Sequence, residues 1–201
     1  MFLPILVEEL ESVLQNAEDE LRLEQAVRGL DALQELAVQA LLADGLARRH
    51  RVTREAYYPS VAGKRSHRAR CDLVLTPTGR ELETQEEPLL RGCAPEDAFW
   101  LELKVAHQLR PSGLSHPRYG SQWRNAIVAD ARKLRCDPRI VHAALGLVVF
   151  TDGAATLDKD LGLFEALLGE AGVFGFRSVR SIGITDRIGH SLCSVALWPV
   201  L

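Results

Sequence analysis

Cys71-Asp72-Leu73-Val74-Leu75 and, further on, Phe99-Trp100-Leu101-Glu102-Leu103-Lys104-Val105-Ala106 decide how this chain is read. Both are short apolar runs of the kind that fill buried strands. Alternate residues of a strand point to one side. Glu102 and Lys104 therefore share a face with Trp100, while Leu101, Leu103 and Val105 turn toward a core. A charge withdrawn from water needs a partner or an ion. If the two strands are neighbours, Asp72 and Glu102 converge on one point.

Working outward, Arg51 to Tyr58 alternates as a strand that Pro59 ends. A short helix is expected over Leu6 to Asn16 and a longer one over Glu20 to Arg49, where Leu23, Val27, Leu30, Leu33 or Gln34, Ala37, Leu41 and Leu42 recur at three- and four-residue steps. Downstream, Arg80 to Asp97 reads as an acidic insertion and Gln108 to Tyr119 as a loop. Gln122 to Leu134 is expected to be helical. Ala143 to Thr151 has the continuous apolar character of a strand buried on both faces. A helix over Leu157 to Glu170 and two strands, Ser178 to Ile184 and Ser191 to Leu197, complete the chain. This order predicts an α/β fold, a mixed central sheet flanked by helices. It forms one domain over 1–201, with 1–20 as an N-terminal helical extension.

The 201 residues, 47% hydrophobic and 25% charged, suit one globular domain. The net charge of -3 makes no global case for nucleic acid. The distribution is more telling. Arg48, Arg49, Arg51, Arg54, Lys64, Arg65, Arg68 and Arg70 face one acid, Glu55. A weaker basic stretch runs through Arg118, Arg124, Arg132, Lys133, Arg135 and Arg139. Such stretches either meet phosphate or solvate a face. No apolar run approaches the roughly 20 residues of a membrane span, and the N-terminus lacks the marks of a signal peptide. Cys71, Cys93, Cys136 and Cys193 lack CxxC spacing and read as reduced thiols of a cytoplasmic protein. The histidines form no HxxxH or HExxH pattern, and there is no phosphate-binding glycine loop or nucleophile elbow. His107, three residues past Lys104, is the histidine to follow.

The charged strands suggest a specific chemistry. The carboxylates of Asp72 and Glu102 and the backbone carbonyl of Leu103 are hard ligands suited to Mg²⁺ or Mn²⁺. A metal there would polarise a phosphate and lower the pKa of a bound water, with Lys104 assisting. By alternation Glu55 is a further candidate. Asp130 and Lys133, three apart on a helix, pair with each other or serve the site. Tyr119 and Trp123 either stack on a base or pack.

An acid at the start of one core strand followed by Glu-x-Lys in the next resembles the PD-(D/E)XK nuclease superfamily. The resemblance runs from about Gln25 to Thr151. It includes Arg54-Glu55-Ala56-Tyr57-Tyr58-Pro59 as the first core strand and Ala129-Asp130-Ala131-Arg132-Lys133-Leu134 in the helix after the third. It implies a restriction-endonuclease-like αβββαβ core, extended here by a helix and two strands, and Mg²⁺-dependent hydrolysis of DNA. Asp72 and Glu102 would then hold the metal, with the Leu103 carbonyl, and Lys104 would assist the attacking water. Glu35, in Leu33-Gln34-Glu35-Leu36-Ala37, would be the helix acid. Cys71 stands where the family pattern has proline. Gln122 is followed by Trp123, Arg124, Asn125 and Ala126, so the Gln-x-x-x-Tyr motif of the RecB-like branch is absent and the branch is unassigned. The net negative charge and the acidic segment Glu81 to Glu87 favour the alternative, a catalytically silent binding or scaffolding protein on the same fold. DNA is the expected partner of the nuclease reading. A homodimer or a partner subunit fits either reading.

Overall fold

The computed structural model describes residues 3–60, 69–83, 92–117, 119–173 and 175–200, with the backbone alone at 121–125. Its frame is a six-stranded mixed sheet in the order β1-β2-β3-β4-β6-β5. The strands are β1 (His50–Tyr57), β2 (Arg70–Pro77), β3 (Phe99–His107), β4 (His142–Thr151), β5 (Ser178–Gly183) and β6 (Leu192–Val200). β1, β2 and β3 form an antiparallel meander. β3 and β4 run parallel, and β6 returns antiparallel between β4 and β5.

The apolar alternation of these strands supplies two cores. On one face α1 (Leu3–Leu23) and α2 (Glu35–Leu46) cover Leu73, Leu75, Leu101, Leu103 and Val148. On the other, α3 (Tyr119–Cys136) and α4 (Ala154–Glu170) cover Val74, Trp100, Leu145, Leu147 and Trp198. β4 is buried on both faces, as its unbroken apolar run requires. In α1, Leu6, Val7, Leu10 and Leu14 form the buried stripe. Where α1 crosses α2, a side chain on Gly45 would run into both methyl groups of Val13. Glycine is what lets the helices approach.

The single long helix expected over Glu20 to Arg49 is not present. α1 ends at Leu23, a 3-10 turn occupies Leu30–Ala32, and α2 begins at Glu35. One backbone turn and two interactions shape the intervening chain. Gln25 adopts a left-handed backbone (φ 51°). The Ala26 carbonyl accepts from Arg187 Nε at 3.0 Å. Asp31, buried, meets His190 Nδ1 at 3.1 Å. Leu23 and Val27, which extend the apolar stripe on paper, are 84% and 92% exposed. The expected short helix, conversely, runs on to Leu23. Among the described residues no helix is long and apolar enough to cross a membrane.

Candidate active site

The site forms where the strand ladders stop. β2 pairs with β3 only from Leu75–Phe99 to Leu73–Leu101. Continuing that register sets Asp72 opposite Glu102. Instead of further ladder bonds, Asp72 Oδ2 accepts from the Leu103 N–H at 2.7 Å. On its other side β2 pairs with β1 at Arg54–Leu73 and Ala56–Cys71 but not between them. There Glu55 takes a left-handed backbone, φ 52°. Such a conformation costs a non-glycine residue about 1–3 kcal/mol and concentrates at functional sites. Asp72 thus lies at an interruption of both ladders.

Lys104 is the centre of the cluster. Its ammonium lies 3.2 Å from Asp130 Oδ2, 3.6 Å from Asp72 Oδ2 and 3.7 Å from Glu35 Oε1. It also donates to the Leu103 carbonyl at 3.3 Å. Burial alone would lower its pKa, but the carboxylates of Asp72, Asp130 and Glu35 outweigh burial and hold it above the ordinary lysine value. Glu35 opens α2 and reaches over from the opposite face of the sheet, where its Oε2 accepts from the Val105 N–H at 3.3 Å. Asp130 comes from α3, buried, and also binds Lys133.

Glu102 is 3% exposed and accepts from the Tyr58 hydroxyl at 2.6 Å. Burial, then the neighbouring Asp72 and Asp130, push its pKa up to about 8, and it shares a hydrogen bond with Asp72. Tyr58, itself 2% exposed, is kept a donor by its burial, which raises its pKa. Four acids, Glu35, Asp72, Glu102 and Asp130, therefore share two lysines, Lys104 and Lys133. Burial, reinforced by this surplus negative charge, is what keeps a proton on Glu102 near neutrality.

The donor set fits a hard divalent cation in chemistry: buried carboxylate oxygens, a backbone carbonyl and unbalanced negative charge. As it stands, the Lys104 ammonium occupies the space between those oxygens. Among the described residues no three His, Cys, Asp or Glu side chains are arranged to hold a metal ion. Glu35, Lys104 and Val105 open onto a cleft of about 390 Å³ that extends past His107 to Arg110 and His116. A larger groove, about 520 Å³ between α1 and the end of α2, contains none of the clustered residues.

No family model, curated protein or solved structure matches this chain.

The structure brings Asp72, Glu102, Lys104 and Glu35 together, with Leu103 between them. It does not bring Glu55 in: that side chain turns to Arg70, 3.9 Å away. Asp31, a nearby acid in the preceding 3-10 turn, is engaged with His190. Tyr58 is the residue the sequence reading missed. The signal available was its parity with Ala56, on the side of Trp100. Part of each basic stretch is already matched by acids: Arg49 with Glu9 and Arg51 with Glu81 in the first, and Arg139 with Glu96 in the second. Lys64, Arg65, Arg68 and Arg118 lie outside the described residues, as do the side chains of Gln122, Trp123 and Arg124. The cysteines are all free thiols, with only Cys136 exposed.

Proposed function

We propose that this chain is a magnesium-dependent nuclease domain of restriction-endonuclease-like fold that hydrolyses phosphodiester bonds in DNA. The observation that carries the reading is the convergence of Asp72 and Glu102 beside Lys104 at the interrupted end of the β2–β3 ladder. Asp72, Glu102 and the Leu103 carbonyl would hold Mg²⁺ or Mn²⁺, which supplies polarisation of the phosphate and a water of lowered pKa when bound. Tyr58 orients Glu102 by its hydrogen bond. Lys104, kept charged by its acidic neighbours, stabilises negative charge that develops on the phosphate oxygens. Glu35 and Asp130 hold that ammonium from opposite faces of the sheet. Exposed arginines such as Arg48 and Arg54 meet the DNA backbone. The free thiols suit a cytoplasmic protein.

A silent binding module on the same fold is the second reading. The observation in its favour is that Lys104 already neutralises the carboxylates while Arg49, Arg51 and Arg139 are paired off. The deciding experiment is cleavage of single- and double-stranded DNA with Mg²⁺ or Mn²⁺, comparing the parent with Asp72→Asn and Lys104→Met. The nuclease reading expects metal-dependent cleavage that either substitution lowers by about 100-fold or more, as loss of a charge-stabilising group does. A parent that cleaves no DNA and whose melting temperature ignores saturating metal would leave the binding module.

A further inference from the structure

The cluster contains a second lysine that the nuclease reading leaves unused. Lys133 lies about one turn beyond Asp130 on α3, and its ammonium donates to Asp130 Oδ1 at 2.5 Å. At that spacing an acid and a lysine ordinarily form a solvated surface pair. Here the acid is not on the surface. The Asp130 side chain is 6% exposed, and its other oxygen faces the Lys104 ammonium at 3.2 Å. One buried carboxylate thus spans both lysines, an oxygen to each. Burial alone would lower the Lys133 pKa, but the hydrogen bond and charge of Asp130, joined by the charge of Glu102, outweigh it and hold the group above the ordinary lysine value. Lys133 therefore belongs electrostatically to the acid cluster.

The two lysines differ in access. The Lys104 side chain is 17% exposed and that of Lys133 is 45% exposed. An ammonium has three donors. Asp130 takes one from Lys133, and the exposed side chain keeps others for an anion arriving from solvent. Other members of the same basic stretch are committed elsewhere: Arg135 donates to the Gly172 carbonyl at 2.9 Å, and Arg139 pairs with Glu96 at 2.7 Å. The surplus negative charge of the cluster repels a polyanion, and a solvent-facing cation fixed to its rim offsets that repulsion. Anchoring at Asp130 also removes side-chain freedom before a phosphate arrives. We propose that Lys133 contacts a phosphate of the DNA strand on which the site acts, beside the phosphate at Lys104, with Asp130 setting the spacing of the two ammonium groups. A lysine meets phosphate as a point charge, so this contact positions the backbone and reads no sequence. The proposal rests on the nuclease reading for its substrate class, but the contact needs neither metal nor turnover.

The test uses the whole chain in chelator and, as probe, a mixed-sequence DNA duplex titrated over a range of salt concentrations. Lys133→Met is expected to weaken binding to all duplex sequences alike and to lower the slope of log affinity against log salt by about 0.9, the loss of one phosphate contact. Lys159→Met, which removes an exposed lysine of α4, is expected to leave the slope in place. The same drop should appear when Lys133→Met is added to Asp130→Asn, which separates a phosphate contact from the repulsion of an unmasked Asp130. A lysine that merely pairs with Asp130 would change stability and not the slope. As a readout that needs no variant, the ¹³Cε resonance of Lys133, one of four lysines in the chain, is expected to shift as duplex binds to the parent. An unshifted resonance at saturating duplex, an unchanged slope in a folded Lys133→Met protein, or a parent that binds no duplex would each overturn the contact. A duplex held at Lys133 by a protein that cleaves nothing with Mg²⁺ would uphold the contact and sink the nuclease reading. Cleavage with Mg²⁺ and an unmoved Lys133 would do the reverse.

Discussion

Replacing Glu102 by glutamine should change how stability depends on pH, by an amount that follows from the site. Burial beside Asp72 and Asp130 raises the Glu102 pKa to about 8 from 4.5. Between those values the folded protein holds a proton that the unfolded chain has released. The associated stability is complete below pH 4.5 and is lost as pH rises through about 8. One such group gives a slope of about 1.4 kcal/mol per pH unit. His107 acts in the opposite sense. Its pKa falls from 6.5 to about 4, so its stability contribution is present above pH 6.5 and lost on acidification. Between about pH 4.5 and 6.5 the two slopes cancel. From pH 6.5 to 8 Glu102 acts alone, and the parent should lose about 2 kcal/mol. The substituted amide would keep an acceptor for Tyr58 and a donor for Asp72 without the titration. The assay is urea denaturation in chelator at half-unit steps from pH 5 to 9, parent against Glu102→Gln. The difference should grow in favour of the variant by about 2 kcal/mol from pH 6.5 to 8, or about 4–8 °C in melting temperature for a domain of this size. Parallel curves over that range would refute the account of Glu102 as a protonated buried acid.

Three further outcomes follow from the same cluster and its supports. Lys104→Met should cost about 3 kcal/mol in urea, because it strands Asp72 and Asp130 without their shared cation; added Mn²⁺ should restore much of that loss. Asp130→Asn removes the carboxylate nearest the Lys104 ammonium. The Lys104 resonance of reductively ¹³C-methylated protein should therefore titrate at lower pH than in the parent, and an unchanged titration would count against the contact. His190→Phe leaves the Leu109 N–H and Asp31 without partners. It should cost about 3 kcal/mol and speed hydrogen exchange at the Leu109 amide.

The strands were legible because their chemistry is local. The unbroken apolar run from Ala143 to Thr151 has few fates other than a strand covered on both faces, and β4 is that strand. Alternation alone placed Glu102 and Lys104 opposite Leu101 and Leu103. The convergence of Asp72 on Glu102 needed only adjacent strands, which the meander supplies. The long helix was misread because periodicity records which residues are apolar, not what covers them. Leu23 and Val27 continue the stripe, but Arg187 and His190, far along the chain, hold the segment in another shape. Tyr58 and Asp130 owe their roles to elements brought together only by folding: the end of β1 and one face of α3. Asp130 shows the ambiguity plainly. Its spacing from Lys133 announced a helix-surface pair, and that pair forms, yet its other oxygen faces Lys104. Glu35 was picked out by its resemblance to a helix acid, and its position at the first turn of α2 brings it within reach of the Val105 N–H and the Lys104 ammonium.

The central claim is that Asp72 and Glu102 hold a divalent cation beside Lys104. Anomalous diffraction from crystals soaked in Mn²⁺ tests it most directly. The account predicts a peak within coordination distance of both carboxylates, with the Lys104 ammonium moved off the Leu103 carbonyl. Well-ordered side chains with Lys104 still seated among the acids and no anomalous peak would contradict it.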